Sequence, residues 1–248
     1  MNTFAPIFMH YVKRPLRATV NYLILIGIPL GIIMLNVVAI TGGLPEGATL
    51  ADVPGFVGTV AVMTLCFQFF SGEILHEFLN FDLRSELKWR LLAAPVSKAT
   101  YIFAMASAAF VTTILQGFLI FALMVLVFGI QLGSPLIWLP VLVITAVMSQ
   151  LVSVLVVLFT KTKKQAASVS MVVGFAIMAT AGGLPIPRAI FPDVLFYNNP
   201  VIIGTRAMLY NVDHPWAGDN PWANIGMLAI MTAVLAVAIV IVSRRKAI

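Results

Sequence analysis

Apolar residues dominate six long stretches of the chain, and polar or Gly/Pro-rich connections separate them. The stretches cover residues 20–40, 54–75, 101–128, 136–159, 166–181 and 224–243. A helix needs about 20 apolar residues to cross a hydrocarbon core of about 30 Å, and most of the stretches reach that length. The pattern therefore predicts an all-α integral membrane protein, organised as a single domain over residues 1–248 with six transmembrane helices.

The composition supports lipid as the solvent of this fold. Hydrophobic residues make up 61% of the 248 residues and charged residues only 10%. A soluble domain is ordinarily about 45–50% apolar. The one cysteine, Cys66, lies inside an apolar stretch, which excludes an internal disulfide and a cysteine metal cluster.

Residues 1–17 predict an amphipathic helix that lies in the membrane interface instead of crossing the membrane. Apolar side chains recur there at helical spacing, and basic residues follow them. The apolar set is Phe4, Ile7, Phe8, Tyr11 and Val12, and the basic set is Lys13, Arg14 and Arg17.

The basic residues fall almost entirely on one side of the predicted topology. Only Arg188 and Arg206 lie on the other side; the remaining Lys and Arg residues lie near the termini, between spans two and three, or between spans four and five. Because cytoplasmic loops carry an excess of Lys and Arg, this pattern places both termini in the cytoplasm of a cell-membrane protein. The net charge of +6 then reflects membrane topology, and we expect no nucleic-acid partner.

The segment 76–100, between spans two and three, predicts one or two short amphipathic helices on the cytoplasmic side that end near Pro95. It combines alternating charges with an aromatic residue: Asp82, Arg84, Glu86, Lys88, Trp89 and Arg90. A solvated loop lying along the lipid headgroups is the alternative interpretation of the same residues.

The external segment 182–223 is rich in proline and glycine, and its apolar stretches are too short to span a membrane. We predict that it enters the outer leaflet and returns before span six. Such a path requires protein or water to satisfy the interrupted backbone.

The sequence lacks the usual motifs of an enzyme or an ion-driven carrier. His76-Glu77 begins a zinc-like H-E-x-x motif, but Asn80 stands where the second histidine is needed.

The middles of the predicted spans contain no ionisable residue; Glu73 and Glu77 mark the polar end of span two. No phosphate-binding G-x-x-x-x-G-K-[ST] loop is present, so any ATPase must be a separate chain. Buried amides such as Gln68 and Gln150 predict hydrogen bonds between helices.

Taken together, these segments resemble the type 2 permeases of ATP-binding-cassette (ABC) exporters over nearly the whole chain. The most specific part is residues 73–97, where acidic residues end span two, a basic and polar helix follows, and Leu91 and Leu92 lead to Pro95-Val96-Ser97. A weaker part is the external segment, through Pro187, Pro192, Asn199, Pro200 and Arg206. The chain departs from the family pattern at Lys88 and Trp89, where Gly-Thr often precedes the leucines.

The resemblance implies the partners and the site residues. A separate ABC ATPase would bind ATP and Mg²⁺, this chain would bind no cofactor, and it would pair with a second copy or with a similar permease. ATPase coupling would fall to Asp82, Arg84, Glu86, Lys88, Trp89 and Arg90, and a cytoplasmic gate to Glu73 and Glu77. A dimer or translocation interface would involve Gly27, Gly31, Ser170 and Gly174.

The implied function is export of an amphiphilic substrate: a drug, an antimicrobial peptide or a lipid-linked molecule. Two alternatives stay open at this point. A substrate-capture subunit of an energy-coupled vitamin importer also has about six spans, but it leaves the amphipathic segment 76–100 without a role. A membrane-embedded lipid enzyme would need an acid, a nucleophile or a metal cluster, for which the sequence gives no motif.

Overall fold

The described residues form helices joined by turns and short irregular connections. The structure is a computed structural model, and it describes residues 4–17, 26–41, 54–84, 96–129, 133–184, 187–212 and 216–245. The helices are α1 (Phe4–Arg17), α2 (Ile28–Thr41), α3 (Pro54–Ser71), α4 (Glu73–Arg84), α5 (Lys98–Phe128), α6 (Pro135–Phe159), α7 (Lys163–Thr180), α8 (Asp193–Tyr197), α9 (Pro200–Met208) and α10 (Pro221–Arg245), with a 3₁₀ turn at Arg188–Ile190.

Four of the described helical segments are long and apolar enough to cross a membrane: Gly55–Asp82, Ala99–Val127, Pro135–Phe159 and Pro221–Arg245. They match the predicted spans two, three, four and six, so the prediction of an all-α membrane protein is confirmed. The first predicted span, 20–40, lies partly outside the described residues, and its described part is α2. The fifth corresponds to α7, which begins with two lysines. A total of six spans stays a prediction.

The second span continues well beyond its predicted end at residue 75. A turn at Gly72 joins α3 to α4, and α4 extends the same helical segment to Arg84. Leu75, Phe78 and Leu79 are buried against neighbouring helices. Residues 76–82, which the sequence assigned to the cytoplasmic segment, therefore form part of the packed bundle.

The long helices pack around α3. In the span that begins with α3, 83% of an 18-residue apolar stretch is buried, whereas the share is 6% in α10, so α3 lies at the centre of the described bundle and α10 at its periphery. The helices α2, α5, α6, α7 and α9 all contact α3, and α10 packs on α6 and α9. Large side chains such as Phe56 and Leu65 are fully enclosed there.

Local sequence signals set the helix ends. The Ser97 side chain accepts a hydrogen bond from the Thr100 amide and caps α5. Ser134 caps α6, whose first residue is Pro135. The α5 helix ends at Gly129, whose φ of 64° is a left-handed conformation that glycine adopts without strain.

The two ends of the bundle differ in structure. At the α1 end, α1 packs along the first turns of α5 and beside α4. At the α9 end, α9 inserts between α3, α6 and α10. Val201, Ile202 and Ile203 in α9 are almost fully buried, so part of the predicted external segment returns into the protein core.

Candidate functional site

A buried polar cluster attaches α1 to the bundle. The Tyr11 hydroxyl donates a hydrogen bond to the Asp82 carboxylate and also contacts the Tyr101 hydroxyl. Arg14 Nη1 lies 3.2 Å from Asp82 Oδ2. Tyr11 and Asp82 are 1% and 5% exposed. A buried carboxylate is stable only when paired and hydrogen-bonded, and α1 supplies both kinds of partner.

Aromatic rings complete this α1 cluster, which we define as Tyr11, Arg14, Phe78, Asp82 and Tyr101. The Arg14 guanidinium carbon lies 5.3 Å from the Phe78 ring centroid and 4.4 Å from that of Phe81, within the range of cation–π attraction. Burial and the neighbouring Asp82 carboxylate raise the pKa of Tyr11. Tyr11 therefore keeps its proton and remains a hydrogen-bond donor.

The α1 cluster contains the first of the predicted coupling residues and lies directly before the others. Asp82 belongs to that predicted set, and the structure directs its carboxylate to α1 instead of to solvent. Arg84 is the last residue of α4. Glu86, Lys88, Trp89 and Arg90 lie in 85–95, outside the described residues, and their role stays a prediction. The structure adds that the α1 cluster holds α4, the helix that directly precedes this segment.

The two predicted gate residues lie at the start of α4. Glu73 is its first residue, directly after the Gly72 turn, and Glu77 follows one helical turn later; both are half-buried. A small cleft forms beside Glu73 between α3, α4, α6 and α7. The side chains around it combine the carboxylate with two hydroxyls and apolar groups: Phe69, Glu73, Val152, Ser153, Ser170, Val173, Gly174 and Ile177.

The four residues predicted for an interface fall into two environments. Gly174 is buried, and a Cβ added there would lie 2.6 Å from Phe70 Cε1, so its close packing is within the chain. Ser170 is half-buried in the cleft. Gly27 and Gly31 are exposed, and a Cβ added at Gly31 would meet nothing within 4 Å. Gly27 and Gly31 thus lie on a surface that the described part of the chain leaves uncovered.

A polar network crosses the middle of the bundle. Gln68 Nε2 donates to the Leu142 carbonyl at 3.3 Å, and Gln68 Oε1 accepts a hydrogen bond from the Thr145 hydroxyl. Gln150 Nε2 donates to Thr113 Oγ1 at 2.9 Å. The predicted interhelical role of Gln68 and Gln150 is confirmed. Sequence analysis missed the hydroxyl partners, although threonines within apolar stretches are the signal that could have identified them.

At the α9 end, Asn199 connects the external segment to α7. Its Nδ2 donates to the Ile177 carbonyl at 2.9 Å and to Thr180 Oγ1 at 2.8 Å, while its Oδ1 accepts from the Val201 amide. Asn199 and Pro200 thus begin α9 at a fixed position, which gives a physical reason for those residue types. Over the described residues, no three His, Cys, Asp or Glu side chains gather as metal ligands.

A comparison with protein families agrees with these features. The family described as "ABC-2 family transporter protein" matches residues 45–241, which include the central helix α3, the cleft and the α9 end. No curated protein matches the chain in sequence. Because the match covers most of the chain, this protein belongs to the ABC-2 transporter family and is a transmembrane permease.

Proposed function

We propose that the chain is the membrane-spanning subunit of an ABC exporter and forms the path of an amphiphilic substrate. ATP and Mg²⁺ bind to a separate ATPase chain, and this chain carries no catalytic residue. The observation that carries the proposal, beyond family membership, is the α1 cluster. It fixes the end of α4 directly before 85–95, the segment that we assign to ATPase contact.

The mechanical argument follows from the packing of α4. An ATPase that closes on nucleotide can transmit force only to a rigid element. The α4 helix contacts α5, α6 and α7, and the α1 cluster braces its far end. A displacement of 85–95 would therefore move α4 as a unit about the Gly72 turn and change the cleft beside Glu73.

The proposed topology has six spans, with α2 and α7 as the first and fifth. Both termini lie in the cytoplasm, α1 lies in the inner interface, and α9 enters from the outside. The supporting observation is that α1, which carries Lys13 and Arg14, packs beside α4 and on the first turns of α5, so these basic residues lie near Arg84 at the end of α4. Cytoplasmic ends of membrane helices carry that excess of positive charge.

The functional unit in this proposal is a pair of permeases, either identical or similar. Gly31, Leu35 and Val38 lie on one face of α2, directly after Gly27, and Leu35 and Val38 are 71% and 69% exposed among the described residues. On α7, Val172 and Phe175 are exposed too. A second permease against these faces would place the substrate path between the two chains.

Substituting Arg84 and Arg90 together with alanine is expected to uncouple ATP hydrolysis from transport. Removing both guanidinium groups takes away charged contacts to the ATPase, and Arg is among the residues enriched at the energetic centres of interfaces. We expect ATP-driven uptake of substrate into inverted vesicles, whose cytoplasmic face is outside, to fall at least about tenfold, which corresponds to about 1.4 kcal/mol. Membrane insertion should stay normal.

The matched control replaces Arg244 and Arg245, which are exposed at the end of α10. That double variant removes the same charge from the same side of the membrane and should transport normally. Full transport by the Arg84/Arg90 variant would refute the coupling assignment, and equal losses in both variants would attribute the effect to charge alone.

A further inference from the structure

The cleft beside Glu73 contains a carboxylate that no cation neutralises within the described part of the chain. Among the described residues, the ion pair that the structure contains joins Arg14 to Asp82 in the α1 cluster. No described Lys or Arg nitrogen lies within 4.0 Å of the Glu73 carboxylate. A half-buried carboxylate near apolar side chains is costly to leave without a counter-ion. The site is thus chemically suited to a cation supplied from outside the chain.

The other groups of the cleft define the kind of cation. Ser153 and Ser170 contribute hydroxyl oxygens from α6 and α7, and Phe69 and Ile177 contribute apolar surface. The free space is narrow, with room for about one water molecule. A primary ammonium group is compact and carries three N–H donors, which match one carboxylate and two hydroxyls. A guanidinium or a quaternary ammonium group would be too large.

The position of the cleft along the helices indicates how a ligand would approach. Ser153 lies about 9 Å before the end of α6 and Ser170 about 10 Å after the start of α7, at about 1.5 Å of rise per residue. The cleft therefore lies roughly a third of the way into a hydrocarbon core of about 30 Å, counted from the α1 end. On α7, the exposed apolar residue Val169 directly precedes the cleft-lining Ser170.

We propose that this cleft binds the primary ammonium group of a cationic amphiphile, with Glu73 as the counter-ion and Ser153 and Ser170 as hydrogen-bond acceptors. The apolar tail stays outside the cleft along α7. This assignment rests on the proposed function, because it names the substrate class that such a permease would take up from the membrane leaflet at the α1 end.

The test measures protection of Glu73 in the full chain reconstituted in lipid nanodiscs. A hydrophobic carbodiimide activates membrane carboxyl groups, which then rearrange to an N-acylurea or couple to an amine with release of the urea. Peptide mass spectrometry reports the rate at which the unmodified Glu73 peptide disappears, so that both products are counted, with Glu77 in the same digest as the internal control. Decylamine is the probe, and decanol is its uncharged match of equal chain length. We expect saturating decylamine to slow modification of Glu73 at least about tenfold, or about 1.4 kcal/mol, with no change at Glu77 and no effect of decanol.

A Ser170→Ala variant adds a test of the hydroxyl contact. Because a hydrogen bond to a charged group is lost, the decylamine concentration for half-protection should rise about tenfold. Equal protection by decanol, no protection by decylamine, or no modification of Glu73 would each overturn the assignment. The measurement needs no ATP hydrolysis, so these outcomes are independent of the ATPase coupling that the Arg84/Arg90 variant tests.

Discussion

Replacing Asp82 with alanine is expected to release α1 from the bundle. The change removes the acceptor of the Tyr11 hydroxyl and the counter-ion of Arg14, both of which lie in the α1 cluster. Breaking a buried ion pair by removing one partner costs about 3–5 kcal/mol. We expect amide hydrogen exchange in residues 4–17 to accelerate at least about 100-fold, the factor that about 3 kcal/mol represents.

The control for this prediction is Asp219→Ala, because Asp219 is exposed in the connection before α10 and its loss changes the net charge equally. Arg14→Ala should have a smaller effect than Asp82→Ala, since the Arg14 side chain is 25% exposed and water can replace part of its contacts. Unchanged exchange in α1 of the Asp82 variant would show that the cluster does not hold α1 in place.

Replacing Gly72 with alanine is the second change with a large expected effect. A Cβ at this position would lie 2.7 Å from the Ser149 carbonyl oxygen and 2.6 Å from Ser153 Oγ. The backbone oxygen cannot move without shifting α6. Overpacking of this kind costs about 1–3 kcal/mol, so we expect a lower midpoint of thermal unfolding in detergent and a reduced rate of transport.

Gly226→Ala in α10 provides a matched comparison, because a Cβ there would meet nothing within 4 Å. Alanine in a helix interior is favoured over glycine by about 1 kcal/mol, so this substitution should leave the unfolding midpoint unchanged or raise it. If Gly72→Ala behaved like Gly226→Ala, then α4 and α6 would not be in the close contact on which the proposed force transmission depends.

The sequence was sufficient to predict the long helices, since each is an uninterrupted apolar stretch of membrane-spanning length. It was also sufficient to predict α1, whose apolar and basic residues follow helical spacing. It did not predict that α4 continues the second span, because the alternation of charged and apolar residues after Glu73 is equally typical of an exposed amphipathic helix. The buried face of α4 became evident only when α1, α5 and α6 were in place around it.

The site residues show the same limit. The resemblance to ABC permeases implied that Asp82 contacts an ATPase, and that role stays a prediction. Within the chain, Asp82 binds Tyr11 and Arg14 from a helix about 70 positions earlier, and no local pattern encodes that contact. Likewise Ser153 and Ser170 reach the cleft from two different helices. Gly174 was predicted to belong to a dimer or translocation interface, and the structure shows that Phe70 of the same chain fills the space beside it.

The most direct test of the central claim is purification of the tagged chain in mild detergent, followed by identification of the bound proteins and assay of ATP hydrolysis. The proposal predicts a stoichiometric ABC ATPase partner, hydrolysis that accompanies the complex, and loss of both when residues 84–90 are substituted. A stable permease that carries no ATPase partner and no associated hydrolysis would contradict the exporter assignment, and the role proposed for the end of α4 would fall with it.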